Sequence, residues 1–248
     1  MKYYIITSIF IFLFLNACSL DFDTKHKDIK SPSNKELKLG IEEDLNKEIK
    51  NKLLNDLKNL IETANAHKEK YIKIIEKELS NQYGMNFTKL GWGPGKEKVS
   101  DNTERSIKFR RHTYTLLSAI DIKELKEFAD IMKLSIKEDV IYNLFSSLGV
   151  DLDIVTNRLY PKKDTLDKLD TSDLQKLKNS LEKILSIIKN VSEMSKQLLL
   201  DYKNDTNLIK TDVNKLKSHV STLYNQFKEK TEESEKLQKT VISLIKTL

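Results

Sequence analysis

Cysteine occurs once in these 248 residues, at Cys18. An internal disulfide is therefore excluded, and so is any Cys-x-x-Cys metal or redox pair. Glycine and proline number only six and three, too little turn material for a sandwich or barrel. The four histidines, His26, His67, His112 and His219, stand far apart with no His-x-x-x-His spacing, so no zinc site is expected. Neither sign of charge dominates. The 43 basic and 37 acidic residues are mixed along the chain, and a net charge of +6 is a weak field that gives no reason to infer nucleic acid as a partner. Long apolar runs are also missing, apart from Tyr3 to Leu15, which is too short to cross a bilayer comfortably.

That run follows Met1 and Lys2 and leads into Leu15-Asn16-Ala17-Cys18, the pattern of a lipoprotein signal peptide cleaved after Ala17. Cys18 then becomes the acylated first residue. The alternative is an ordinary secretory signal followed by an incidental cysteine, but Leu15 at minus three and Ala17 at minus one favour acylation. Each buried methylene contributes about 0.8 kcal/mol, so several acyl chains would hold the protein on a membrane almost permanently. No cofactor is expected beyond this covalent lipid. Three parts result: a signal peptide (1–17), a lipidated flexible tether (18–33, polar, with Pro32), and one all-helical domain (34–248).

Lys, Glu, Leu and Ile favour helix, and few residues break it. The expected fold class is all-α, an elongated helical bundle with a long C-terminal helix. An apolar stripe at Leu37, Ile41, Leu45, Ile49, Leu53, Leu57, Leu60 and Ala64 continues through Tyr71, Ile75, Leu79 and Tyr83. It predicts one very long helix, or two with a bend near Ala64 to His67, ending before Gly84. Gly84, Gly91, Gly93 and Gly95, with Trp92 and Pro94, mark the one long loop. No strand precedes Gly91-Trp-Gly-Pro-Gly95 and no Gly-Lys-Ser/Thr follows, so a phosphate-binding loop is not indicated.

Short helices are predicted at 103–119, 122–134, 136–148 and 152–160, with Asp101, Asp121 and Ser135 as caps, Gly149 as a helix end and Pro161 as a stop. A helix of about thirty residues follows from Thr171, on a stripe from Leu174 to Tyr202. Ile209, Val213, Leu216, Val220, Leu223 and Phe227 then show heptad spacing, which resumes at Leu237, Val241, Leu244 and Leu248 after a break at Lys230 and Ser234. A straight helix over 207–248 would run about 60 Å, whereas a compact domain of this size is roughly 45 Å across. Either the bundle is elongated, or the chain bends at the break, or Leu237, Val241, Leu244 and Leu248 pack on a second copy in a homodimer.

Two clusters were candidates for chemistry. The acid pairs Glu42-Glu43 and Glu232-Glu233 sit on lysine-rich helical faces and are expected to be solvated. No catalytic site and no enzyme are expected. Arg105, Lys108, Arg110, Arg111 and His112, with Phe109 and Tyr114 interleaved, gather three of the four arginines within seven residues. Arg105, Lys108 and Arg111 share a helical face and could take an anionic ligand such as a sulfated glycan. Buried or intramolecular pairing is the other reading, as packing anchor is for Trp92 against partner contact.

Asn81-Gln-Tyr-Gly-Met85, Trp92-Gly93, Ser100-Asp-Asn-Thr-Glu-Arg-Ser-Ile107 and Arg110-Arg-His-Thr-Tyr-Thr-Leu-Leu-Ser-Ala-Ile-Asp121 resemble the Borrelia outer-surface lipoprotein family that includes complement regulator-acquiring surface protein 1. The resemblance is densest over 81–132. It implies a helical, non-enzymatic domain anchored by lipid at the outer face of the outer membrane. The family's best-known member is a homodimer that binds factor H and hinders terminal complement, although many relatives do not bind factor H. A host serum protein is thus the implied partner, with adhesion to sulfated glycans or extracellular matrix as the alternative. The binding surface of that member lies at its dimer cleft and C-terminal helix, so the resemblance transfers no binding residue.

Overall fold

The structure, a computed structural model, describes residues 34–85, 87–93 and 97–246, with side-chain surroundings from residue 44 onward. The signal peptide, Cys18, the tether, Pro94, Gly95 and Leu248 lie outside the described residues. Six α-helices are present among the described residues: α1 (Asn34–Glu76), α2 (Glu104–Leu116), α3 (Leu125–Ser135), α4 (Glu138–Leu159), α5 (Thr171–Lys203) and α6 (Val213–Ile245). Short 3-10 segments connect them, and the only strand-like pairing described is an isolated bridge between Gly91 and Lys98.

Over residues 43–248 the helices form one compact unit. α6 lies along both α4 and α5, and α2 crosses α4. α5 and α6 are each 33 residues long, about 50 Å at 1.5 Å per residue. This equality answers the length problem posed by the sequence: the last helix is covered along its length by a neighbour of the same length. Lys183 of α5 pairs with Glu233 of α6 at 2.6 Å. Near the end, Lys162 donates to the Ile245 carbonyl at 3.0 Å. Val241 is fully buried within this chain, and Leu237 and Leu244 pack half-buried on the same core. The heptad seam is therefore turned to α4 and α5 of its own chain.

No bend occurs at Lys230 or Ser234, because α6 has no Gly or Pro between Val213 and Ile245 and stays in register. Ser234 is fully buried at a position the apolar stripe would have filled. Opposite lies Asp151 of α4, 8% exposed, whose carboxyl burial pushes up to about 6; Glu235 adds to the rise, while the Ser234 hydroxyl and Lys239 oppose it. The unfolded carboxyl titrates near 3.9. The folded pKa is the higher one, so the native state binds the extra proton and loses stability as pH rises from about 4 to about 6. Asp151→Asn is accordingly expected to raise stability at pH 7.5 by on the order of 1–3 kcal/mol and to have little effect below pH 4, as read by urea melts at the two pH values.

The first helix obeys its stripe from Leu53 onward but not at Leu45 and Ile49. Leu53, Leu57 and Ala64 are buried, while Leu45 and Ile49 are 54% and 44% exposed. No break separates the two halves at Ala64 to His67, and the helix ends at Glu76, before Leu79. Lys178 of α5 reaches Asp56 at 3.3 Å, and Lys68 donates to Asn157 of α4 at 2.7 Å, which fastens α1 to both.

α4 is a single helix where two were predicted. Gly149 lies inside it, because here the backbone of α4 meets α2: a Cβ on Gly149 would stand 2.4 Å from the His112 Cβ. The caps also differ. Thr103, not Asp101, accepts from the Ser106 amide and starts α2, while Asp101 accepts from the Lys98 amide at 2.7 Å. Ser135 donates to the Met132 carbonyl at the end of α3, and α4 begins at Glu138, with Lys137 in the cap position making no side-chain cap.

Candidate functional site

The region with the densest polar chemistry is α2 and what it touches. The seven residues that gather Arg105, Arg110 and Arg111 wind through two turns of helix, so the three guanidinium groups leave in different directions and meet different fates. Arg110 turns inward. Its side chain is 2% exposed and that of Glu78 is 7% exposed, and the pair is joined at 2.8 Å through Arg110 Nη2 and again at 2.9 Å through Nε. The remaining nitrogen donates to the carbonyls of Val99 at 2.6 Å and Asp101 at 2.7 Å. The Tyr114 hydroxyl donates to Glu78 at 2.5 Å and lies 3.1 Å from the Gln82 carbonyl. Burial first, then the hydrogen bond and charge of Glu78, raise the phenol well above its ordinary value. A planar fork filling both carboxylate oxygens and two carbonyls is a use that only arginine serves. Through it the loop 78–101 is tied to α2.

Arg111 is also spoken for. It pairs with Asp153 of α4, and the same carboxylate oxygen lies 2.8 Å from His112 Nε2. The far ring nitrogen of His112, Nδ1, is buried with no hydrogen-bond partner among the described residues. His112 is one reason α2 sits so close to α4, since its ring lies over Gly149.

Arg105 points the third way, outward. Its guanidinium carbon stands 4.0 Å from the centre of the Trp92 ring, which itself meets Phe109 edge-on at 5.7 Å. Such stacking contributes roughly 0.5–1 kcal/mol at an exposed site. Lys108, one turn along, pairs with Glu104 at 2.5 Å on the helix surface. Trp92 is thus at once a packing anchor on Phe109 and a platform for a cation.

Between α2, α4 and the Trp92 loop runs a groove of about 750 Å³. Trp92, Arg105 and Lys108 form one side, Asn143, Ser146 and Val150 the other, and His112 lies in its floor. A smaller cavity of about 240 Å³ adjoins it behind Trp92 and Phe109. Of the three residues the sequence grouped as an anionic patch, the structure brings Arg105 and Lys108 to this groove and commits Arg111 to Asp153. Sequence reasoning did not find Asn143, Ser146 or Asp153, which follow the ordinary polar periodicity of α4. Glu78 also carried no signal, standing among other charged residues. No cluster of His, Cys, Asp and Glu able to hold a metal ion occurs among the described residues. Glu233, one of the acid pairs, is held below its usual range by Lys183 and Lys230.

Residues 73–246 match the model of a family described as Borrelia Bbcrasp-1 domain containing protein. Among solved structures, BSE31 from the Lyme disease agent Borrelia spielmanii is 48% identical, and the match covers 78% of this chain and 98% of that one with a TM-score of 0.76. The outer surface lipoprotein BBA64 of Borrelia burgdorferi shares the fold at 20% identity and a TM-score of 0.61, over 81% of this chain and 97% of its own. BBA65, a Lyme disease associated outer surface protein of the same species, is also 20% identical, with a TM-score of 0.62 over 75% and 98%. No curated protein matches the chain.

Proposed function

The chain belongs to the Borrelia family of Bbcrasp-1 domain containing proteins, outer surface lipoproteins, and from that premise we propose that it is a non-catalytic, lipid-anchored protein that binds a host protein at the cell's outer surface. The observation that carries the reading is the extent of the family match, 73–246, which takes in the whole groove and all of α2 to α6. A lipid on Cys18, after cleavage behind Ala17, supplies the anchor. The most specific form of the proposal is complement evasion through factor H or terminal complement components, and it rests on the resemblance of residues 81–121 to that family's sequence pattern. A homodimer through Leu237, Val241 and Leu244 would compete with this chain's own packing, since Val241 is fully buried.

A second reading, adhesion to sulfated glycans, draws on Arg105 and Lys108, both exposed and one turn apart on α2. Binding of that kind falls steeply with salt. The two are separated by passing human serum and, independently, heparin over the immobilised chain at 50 mM and 300 mM salt. Saturable recovery of a defined serum protein at both salts is the expected result. Retention of heparin at the lower salt only, with no serum protein retained, would replace protein binding with glycan adhesion.

A further inference from the structure

The groove beside Trp92 has a chemistry that distinguishes between ligand classes. Arg105 forms no hydrogen bond or ion pair among the described residues, yet it is held in place by the Trp92 ring at 4.0 Å. Its five donors are therefore positioned and free. Across the groove, the side chains of Asn143 and Ser146 likewise make no hydrogen bond within the described residues. Unused polar groups thus face one space from both walls. The first turn of α2, with the positive end of the helix dipole, opens on the same space.

The ligand that fits must supply acceptors, and the charge balance limits how many negative charges it carries. Glu97 and Glu104 line the groove together with Arg105 and Lys108, two carboxylates against two cations. Lys108 is already engaged by Glu104, and Glu97 by the hydroxyls of Thr103 and Ser106. A densely sulfated chain finds no excess of positive charge here. A single carboxylate finds the fork of Arg105, which matches its geometry bidentately. Val150, 39% exposed, and the uncovered part of Trp92 add apolar surface beside that fork. A volume of about 750 Å³ lies in the usual range for ligand clefts, roughly 300–1,000 Å³, and suits a few residues of a peptide rather than a folded domain.

We propose that this groove is the contact site for the protein partner, receiving a short acidic segment with one Asp or Glu carboxylate on Arg105 and an adjacent apolar side chain against Val150 and Trp92. The proposal rests on the protein-binding reading above and names its site. Because Trp92 is the only tryptophan in the chain, its fluorescence reports directly on occupancy of the groove.

The test begins with a phage-displayed library of random 12-residue peptides, panned on the full chain in detergent. The leading peptide is then synthesised and titrated while Trp92 emission is followed. An acidic residue next to an apolar one is expected in the selected sequences, with a saturable change in Trp92 emission. Affinity should fall tenfold or more with Arg105→Gln, and equally when the peptide's acid is replaced by its amide. Arg105→Lys should recover only part of the loss. Arg105 is exposed and bears no structural hydrogen bond, so unchanged circular dichroism is expected for both variants, with melting lowered by no more than about 4 °C through loss of the Trp92 stacking. Failure to enrich any acidic sequence, or equal affinity of wild type and Arg105→Gln, would overturn the groove assignment. The serum experiment keeps the two readings apart: the same serum protein captured equally by wild type and Arg105→Gln would overturn this site while leaving the protein-binding reading intact.

Discussion

Arg110→Ala is expected to destabilise the bundle by about 3–5 kcal/mol, because it leaves the buried carboxylate of Glu78 without its counter-charge. The cost is larger than that of losing an exposed pair, which is about 0–1 kcal/mol. Burial decides the difference: both side chains are under 10% exposed. The Val99 and Asp101 carbonyls lose their donor in the same step. For a domain of about two hundred residues each kcal/mol shifts the melting temperature by roughly 2–4 °C, so a fall on the order of 6–20 °C should be seen by circular dichroism. Arg110→Lys should recover little, since an ammonium cannot serve both carboxylate oxygens and two carbonyls in one plane. Replacing the two charges together, with Arg110→Met and Glu78→Leu, should cost less than Arg110→Ala alone. A double variant no more stable than the single one would show that the carbonyl contacts, and not the ion pair, dominate the site.

The same contrast explains what was legible in the sequence. Helical periodicity reports which positions face apolar surroundings, so Leu174 to Val191 of α5 and Leu216 to Phe227 of α6 are buried as their stripes require. Periodicity does not report which polar residue faces which. Arg105, Arg110 and Arg111 look alike in a string, and only the direction in which each leaves α2 separates a buried strut, a bridge to α4 and a free fork on Trp92. Their partners Glu78 and Asp153 are 32 and 42 residues away, in elements whose placement no local pattern records. The break at Lys230 and Ser234 was misleading for a related reason. A polar residue in an apolar stripe signals a bend only if nothing polar waits opposite, and here Asp151 does. The groove was half visible: Trp92, Arg105 and Lys108 stood out by type, while Asn143 and Ser146 needed α4 laid beside α2.

Gly149→Ala should destabilise by about 1–3 kcal/mol or more, although it replaces the poorest non-proline helix former with the best. Local propensity argues for the opposite sign. In an exposed helix interior, alanine gains about 0.8–1.0 kcal/mol over glycine, and the sequence alone offered no reason beyond a helix end for a glycine at this point. The helix continues through Gly149, with Val150 to Leu159 still helical. What opposes the alanine is α2: the new methyl would meet the Cβ of His112 at 2.4 Å, its Cγ at 2.7 Å and its backbone Cα at 2.9 Å. A flexible side-chain tip could move away, but Cα and Cβ move only if the helix moves. The two helices would have to separate, loosening the Arg111 and His112 contacts to Asp153, and overpacking of this kind costs about 1–3 kcal/mol, occasionally more. Gly149→Val adds further bulk at the same place and should cost more than Gly149→Ala. The direction of the change is the decisive reading in a urea melt. Loss of stability confirms that the glycine exists for the α2 and α4 crossing, whereas a gain near 1 kcal/mol, the propensity value, would mean that the helices lie further apart and that the floor of the groove is less tightly built than its geometry requires.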